Sequence, residues 1–320
     1  MLLSSILPTP APMHIPDGFL SLTVSVVCWV LGAAGVGIAL WRSGEELGER
    51  QVPLMGVLAA FIFAAQMLNF TVAGGTSGHL IGGALAAILL GPWGAILTMS
   101  TVVGIQALLF QDGGLIVMGA NILNLAIIAP LVGYGIFRGV TALIRNRRWS
   151  ILAAGIVASW FSVVVSAIAA AIQLAFSGTS PLGVALPAMA GVHALIAVGE
   201  ALITTGALSF ILAVRPDLLA ESESRAKGWG WALTGLLIAV SITLFAPLAS
   251  PNPDGLERVA EDQGFMAAAL DAPYRLIADY VLPGVSNDAV ATILAGAIGA
   301  LVVAGIAFLV ARARHRRSHS

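Results

Sequence analysis

The class of fold is decided by residues 151–176, ILAAGIVASWFSVVVSAIAAAIQLAF, a stretch that carries no charged side chain. A helix needs about 20 apolar residues to cross the hydrocarbon of a membrane, and this stretch exceeds that length. The whole chain agrees, since 58% of its 320 residues are hydrophobic and only 10% are charged. The mean hydropathy is +0.97. These values exclude an ordinary soluble globular protein and predict an all-α, polytopic membrane protein.

The apolar runs on either side of this stretch predict about nine transmembrane helices, seven in a first bundle and two after it. The runs are 20–41, 52–72, 79–91, 93–110, 115–137, 151–176, 185–214, 229–248 and 289–311. The third run is too short to cross alone. We expect Gly74-Gly75-Thr76-Ser77-Gly78 to complete that crossing as irregular backbone, which a membrane tolerates only where protein or a wet cavity covers it.

The basic residues predict the orientation of the chain. With the N-terminus outside, nine crossings place four basic segments in the cytoplasm, where positive charge is enriched. These segments are 42–51, 138–150, 215–228 and 312–320, and they hold all the lysine and arginine residues except Arg258 and Arg275. The sequence therefore predicts a multi-pass protein of the cell (inner) membrane, with the N-terminus outside and the C-terminus in the cytoplasm.

The chain divides into two predicted modules joined by a linker. Three prolines within residues 1–12 stop any helix, and we expect translation to start at Met13, which follows directly. The predicted parts are 1–12, a wrongly assigned start or a short tail; 13–214, a seven-helix domain; 215–228, a cytoplasmic linker; and 229–320, a two-helix module with a basic tail. The outer loop of the second module, 249–288, is acidic, and we expect it to be solvated.

Several kinds of site are excluded by what the sequence lacks. Lys227 is the one lysine, and Gly-Trp follows it, so the phosphate-binding pattern GxxxxGK[ST] is absent and no nucleotide site is expected in this chain. Cys28 is the one cysteine, which excludes a disulfide framework and a cysteine-based zinc site. The HExxH pattern of many zinc hydrolases is also absent.

A metal site is indicated by Met13 and His14 if the mature chain starts at Met13. A free amine, the backbone nitrogen of His14 and its imidazole can then chelate one metal ion in two fused rings. A fourth nitrogen completes a square-planar site that suits Ni(II) or Cu(II), with Co(II) also possible. His79, which follows the glycine-rich stretch on the same predicted side, is the candidate fourth ligand. The alternatives are an ordinary interfacial histidine at 14 and a helix-capping histidine at 79.

Three other polar residues are candidates for supporting this site. Asp17, in the turn Pro16-Asp17-Gly18, is expected to set the angle at which the N-terminus is presented. His193 and Glu200 are seven residues apart and therefore lie on one helix face. We favour a structural hydrogen-bonding role for this pair over direct metal ligation, because a buried carboxyl in the bilayer needs a partner. The partners considered are the amides of Gln66, Asn69, Gln106, Asn121 and Asn124.

Taken together, several segments resemble a known family of transporters. Residues 13–20 (MHIPDGFL), 75–80 (GTSGHL) and 191–204 (GVHALIAVGEALIT) resemble the metal-capturing M component of energy-coupling factor (ECF) transporters for cobalt and nickel. The outer segment Pro253-Asp254-Gly255-Leu256-Glu257 is similar to the signature of the N component of the same transporters. Because the resemblance covers about 13–214 and about 229–311, the chain is identified as an M–N fusion.

This resemblance implies the substrate-specific component of an ATP-driven uptake transporter for Co²⁺ or Ni²⁺, and not an enzyme. The implied metal ligands are the amine of Met13, the backbone and imidazole nitrogens of His14 and the imidazole of His79. The N-type loop would help to load the metal or keep the first residues ordered. The implied partners are a transmembrane coupling protein of the T/Q type, two cytoplasmic ATPase subunits and membrane lipid, with no nucleic acid.

Two rival functions stay open at the level of sequence. The first is an intramembrane metal-dependent hydrolase that uses His79, His193 and Glu200, since catalytic zinc commonly has three protein ligands and an open position. The second is a passive ion channel, which would conduct without ATPase partners.

Overall fold

The computed structural model describes residues 14–219 and 230–318. The predicted start at Met13 and most of the predicted linker lie outside the described residues. Within them the helices are α1 (Leu22–Glu46), α2 (Gln51–Gln66), α3 (Gly83–Phe110), α4 (Met118–Leu143), α5 (Arg147–Phe176), α6 (Leu182–Val214), α7 (Gly230–Leu248), α8 (Gly255–Gln263) and α9 (Asp288–Ser318).

These helices confirm the predicted fold class. Among the described residues, seven helices are long and apolar enough to cross a membrane, and α2 is a shorter apolar helix. The two strands are minimal: β1 (Phe70–Thr71) and β2 (Ser77–Gly78) pair antiparallel between α2 and α3. The protein is therefore an all-α, multi-pass membrane protein.

Helix α3 folds back on itself at Gly91, where φ is 73° and ψ is 172°. Glycine adopts positive φ readily, and the proline that follows it cannot continue a helix from the preceding turn. A straight helix over the 23 residues Gly83–Ile105 would place its ends about 33 Å apart. Instead the Gln66 side chain joins both ends, donating to the Ile81 carbonyl at 2.9 Å and accepting from Gln106 at 2.8 Å.

The two legs of α3 account for the third and fourth predicted crossings. The leg before Gly91 is short, as predicted from the run 79–91. The backbone that precedes it is irregular and contains the two short strands and a single turn over Ala73–Gly75. The nine apolar runs of the sequence therefore correspond to the described helices, with two runs in α3, and irregular backbone precedes the shorter of its two legs.

The bundle has two chemically different ends. Three hydrogen bonds gather the four basic segments at one end: they join Arg50 to the Asp217 carbonyl, Arg147 to the Leu219 carbonyl and His315 to the Leu47 carbonyl. The opposite end, which we call the site end, contains His14, His79 and the loop between α7 and α9. The site end is the one that the charge pattern predicts to face outside.

The loop between α7 and α9 packs some of its side chains onto the site end, while most of its residues stay at least partly exposed, as expected of a solvated loop. Tyr280 is buried and stacks on Phe110 with ring centroids 4.8 Å apart. Phe265 packs edge-on against Phe19 at 5.1 Å. The loop is acidic overall, but its apolar side chains provide enough buried surface to hold it against the first module.

Candidate metal site

His14 begins a short extended segment that is fixed by hydrogen bonds. The residue is 4% exposed, and its Nδ1 lies 2.9 Å from Oδ1 of Asp112. The side-chain amide of Asn121 accepts from the backbone N–H of Ile15 at 3.1 Å and donates to its carbonyl at 3.0 Å. The N–H of Gly114 donates to the same carbonyl at 2.9 Å. His14 therefore has a defined position although no helix or strand contains it.

Asp17 anchors the same segment from its other end. Its carboxylate accepts three successive backbone N–H groups, from Leu115 at 2.9 Å, Ile116 at 2.8 Å and Val117 at 3.1 Å. Its carbonyl accepts from the N–H of Leu270 at 2.7 Å, which joins the segment to the second module. The three bonds to the carboxylate are charge-assisted, and such bonds are roughly twice as strong as bonds between neutral groups. These contacts give Asp17 the means to orient the N-terminal segment.

A methyl group at Gly114 is expected to displace Asp17 and loosen the His14 segment. A Cβ there would lie 2.1 Å from Oδ1 of Asp17, well inside contact distance. Gly114→Ala should therefore lower the free energy of unfolding by about 1–3 kcal/mol, measured by thermal unfolding in detergent. The matched control is Gly104→Ala, where a Cβ meets nothing within 4 Å. Equal melting temperatures for both variants would show that the anchor at Asp17 is unimportant.

His79 lies beside His14 at the site end. The centroids of the two imidazoles are 5.6 Å apart, and the ring planes meet at 70°. The glycine before it brings the chain against α6, since a Cβ at Gly78 would lie 2.6 Å from the side chain of Ile196. The structure thus brings together the two histidines that the sequence proposes as ligands.

Glu200 holds the chain just after His79. Its Oε2 accepts from the N–H of Ile81 at 2.6 Å and its Oε1 from the N–H of Gly82 at 2.8 Å. This is a structural hydrogen-bonding role, but the partners are backbone groups and not the amides that we expected. Four of those five amides are engaged elsewhere: Gln66 with Gln106, Asn124 with Gln173, and Asn121 with Ile15.

His193 shares a cavity with the two candidate ligands. Its Nδ1 lies 2.8 Å from the Met189 carbonyl, and its Nε2 faces the second module, 3.0 Å from where a Cβ on Gly255 would stand. The cavity has a volume of about 70 Å³, and His14, His79 and His193 contribute to its walls. In residues 14–219 and 230–318, no three His, Cys, Asp or Glu side chains are arranged to hold a metal ion.

In the imidazole of His14, only Nδ1 has a hydrogen-bond partner among the described residues. Its Nε2 is buried and has no hydrogen-bond partner within the part of the chain that the structure describes. Buried polar atoms normally have a partner, so this nitrogen is a candidate metal ligand. A chelate that includes the backbone nitrogen of His14 closes through Nδ1 instead. The ring would then turn over about Cβ–Cγ and bring Nε2 to the edge that faces Asp112. Met13, the other proposed ligand, lies outside the described residues.

The motif at 253–257 begins α8 with a reciprocal cap. The Asp254 carboxylate accepts from the N–H of Glu257 at 2.7 Å, and the Glu257 carboxylate accepts from the N–H of Asp254 at 3.0 Å. This is the capping-box arrangement, which satisfies two donors at a helix start. Burial and the neighbouring Glu257 raise the pKa of Asp254 well above its usual value. Gly255 and Leu256 line the cavity.

The chain just before this motif is tied to the glycine-rich stretch. The carbonyl of Pro253 accepts from the N–H of Ser77 at 2.8 Å, and the carbonyl of Asn252 accepts from its hydroxyl at the same distance. Ser77 is fully buried and is two residues from His79. The second module therefore contacts both segments that carry a candidate histidine ligand.

Two residues of this site were not identified from the sequence, Asp112 and Tyr280. The hydroxyl of Tyr280 donates to Oδ2 of Asp112 at 2.5 Å, while Oδ1 faces His14. Asp112 had one usable signal: it is the only acidic residue between Glu49 and Glu200. An isolated acid in so apolar a region indicates a functional or paired group. Tyr280 had no comparable signal.

Comparison with known proteins extends the resemblance that the motifs indicated. The family described as "Cobalt uptake substrate-specific transmembrane region" matches residues 14–218, and the PDGLE domain matches residues 229–316. A putative fused nickel transport protein NikMN of Archaeoglobus fulgidus is 38% identical over 304 residues, which cover 94% of this chain and 98% of that protein. The fused nickel transport protein NikMN of Rhodobacter capsulatus is 32% identical, over 92% of this chain and 96% of that one.

Solved structures are similar to about two thirds of the chain. A crystal structure of a transition metal transporter superposes with a TM-score of 0.57 at 33% identity, covering 68% of this chain and all of that one. A truncated transition metal transporter gives 0.55 at 35% identity, covering 63% of this chain and 99% of that one. With the family match over most of the first module and these long alignments, the chain belongs to the cobalt uptake substrate-specific transmembrane family, in a form fused to a PDGLE domain.

Proposed function

We propose that this chain captures Co²⁺ or Ni²⁺ at the site end of the bundle for ATP-driven uptake. The chain is a membrane component of metal transport and not an enzyme, in keeping with its family and with relatives named as transport proteins. One observation carries the assignment of the site. The buried Nε2 of His14 has no hydrogen-bond partner among the described residues, and the His79 ring lies 5.6 Å away in the same cavity.

The proposed ligands are nitrogen atoms of Met13, His14 and His79. Nitrogen ligands in a near-planar arrangement suit Ni(II) and also accept Co(II), and geometry rather than affinity order would select between them. The amine of Met13 contributes only if the mature chain begins there. The intact mass of the natively expressed protein decides this point, since retention of residues 1–12 together with normal metal uptake would exclude the amine.

Energy for transport would come from other chains. The lack of a GxxxxGK[ST] pattern in this sequence supports a division of labour in which two ATPase subunits act through a transmembrane coupling protein. The basic segments gathered opposite the site end support an orientation with the site outside and those segments in the cytoplasm. Metal would then bind outside and be released inside when the partners act on the bundle.

The function is tested first at His79. His79→Ala should weaken Ni²⁺ and Co²⁺ binding by more than the roughly 10- to 100-fold typical of an outer-shell partner of the metal, because it removes one of the proposed nitrogen ligands and leaves the rest. Calorimetric titration of the purified full chain in detergent measures the change. The matched control is His315→Ala at the opposite end, which should bind like the parent protein. Parent-like binding by His79→Ala would show that the fourth ligand is another group.

A further inference from the structure

A buried hydrogen-bonded chain runs from the second module to the candidate metal ligand in the first. Tyr280, in the loop between α8 and α9, donates its hydroxyl to Oδ2 of Asp112 at 2.5 Å. The other carboxylate oxygen lies 2.9 Å from Nδ1 of His14. The side chains of His14 and Asp112 are each 1% exposed, and Tyr280 is 1% exposed. Water therefore has little access to any of the three groups.

The phenol of Tyr280 is held in place both by ring packing and by the backbone conformation. Its ring stacks on Phe110 with an interplanar angle of 19°, and Phe63 lies 6.0 Å away between centroids. Asp279 and Tyr280 both have positive φ, 55° and 57°. Residues other than glycine rarely adopt this left-handed conformation, and it persists only where the surrounding contacts hold it.

Burial also fixes the direction of the hydrogen bond. Desolvation, with the nearby charge of Asp112, raises the pKa of Tyr280 well above its usual value. The phenol therefore stays protonated and acts as the donor, with the carboxylate as the acceptor. One oxygen of Asp112 is thereby occupied, and the other is left for the imidazole.

A carboxylate that is hydrogen-bonded to one ring nitrogen of a histidine changes the properties of the other ring nitrogen. It fixes the tautomer and the ring orientation, and it raises the basicity of the nitrogen that faces the metal. In the observed ring orientation Asp112 contacts Nδ1 and leaves Nε2 available. With the ring turned over, Nε2 would be on the Asp112 edge and Nδ1 would be available for a chelate. The same carboxylate can serve either arrangement.

We propose that Tyr280 is a positioning residue that acts through Asp112 on His14, so that the second module helps to set the metal affinity of a site in the first. This inference rests on the proposed function. It assigns to the hydroxyl of Tyr280 the role of orienting Asp112, which is separate from the helix-capping role of Asp254 and Glu257. It also explains why an aromatic residue of an otherwise acidic loop is buried against the end of α3.

The test is Tyr280→Phe in the full chain, with Ni²⁺ as the probe. Phenylalanine keeps the stacking on Phe110 and removes only the hydroxyl. We expect Ni²⁺ affinity by calorimetry to fall about tenfold and the visible absorption spectrum of bound Ni²⁺ to change. The melting temperature should fall modestly, because a buried carboxylate oxygen loses its donor, and the spectral change is what distinguishes positioning from this loss of stability. The control is Tyr274→Phe in the same loop, whose hydroxyl donates to the Leu108 carbonyl at 2.8 Å, away from Asp112. It should bind Ni²⁺ like the parent.

A double-mutant cycle separates positioning from general structure. In an Asp112→Asn background, Tyr280→Phe should have almost no further effect on Ni²⁺ affinity, because both changes interrupt the same chain. Additive losses, or a Tyr280→Phe protein with parent affinity and spectrum, would overturn the inference. The proposed function would still stand in that case if His14→Ala loses binding. If the parent protein itself binds no Ni²⁺ or Co²⁺, the proposed function has failed.

Discussion

High-affinity binding of Ni²⁺ and Co²⁺ is expected to be lost in His14→Ala while the helical bundle stays folded. The variant removes a buried imidazole from the cavity and, with it, one of the nitrogen ligands of the proposed N-terminal chelate. We expect at least about a 100-fold loss in affinity, larger than that for an indirect partner of the metal. Asp112 still accepts the hydroxyl of Tyr280 in the variant, so its carboxylate is not left without a donor.

Calorimetry with each metal measures this loss, and circular dichroism verifies the helix content. His315→Ala again serves as the control, because that histidine bonds to the Leu47 carbonyl at the opposite end of the bundle. If both His14→Ala and His79→Ala bind metal like the parent, the site has been placed wrongly. His193 would then be the next histidine to test, since it lines the same cavity.

The largest loss of stability is expected from Glu200→Ala. Both carboxyl oxygens are used by the backbone N–H groups of Ile81 and Gly82, and the residue is fully buried. Removing them leaves two buried donors without an acceptor, at about 1–3 kcal/mol each, so unfolding should become easier by about 2–6 kcal/mol. Thermal or denaturant unfolding in detergent measures this change.

Glu200→Gln is the companion variant. Its amide keeps one acceptor oxygen, so it should lose less stability than Glu200→Ala and should retain metal binding. A hydrolase that used this carboxylate as a general base would behave differently, because the amide cannot take a proton. If both variants unfold at the temperature of the parent, the two hydrogen bonds contribute nothing to stability.

The fold could be predicted from the sequence because hydrophobicity dominates it. Runs of about 20 apolar residues give the spans directly. The short third span was predicted by comparing its length with that of the membrane. A run of about 13 residues next to Gly74-Gly75-Thr76-Ser77-Gly78 could cross only with irregular backbone. The reversal at Gly91 was implied as well, because the third predicted run ends at residue 91 and the fourth begins at residue 93.

Residues of the site could be predicted from the sequence only where the side chain itself is a typical metal ligand. His14 and His79 are identified by their side chains and by the glycines beside them. Their partners are not, because Asp112 is 98 residues from His14 and Tyr280 is 168 residues from Asp112. Glu200 shows the same limit. Its burial was predicted. Its carboxylate, however, accepts from backbone N–H groups, and because every residue except proline has one, the sequence does not indicate which of them are the donors.

The burial of His14 also bears on how a metal ion would load. Its side chain is 1% exposed, and the cavity beside it is lined partly by apolar side chains such as Leu125, Val163 and Ile196. A divalent ion that binds there as proposed would exchange water ligands for protein nitrogen atoms in a largely apolar setting. We therefore expect loss of water from the ion, rather than diffusion to the surface, to limit the rate of capture.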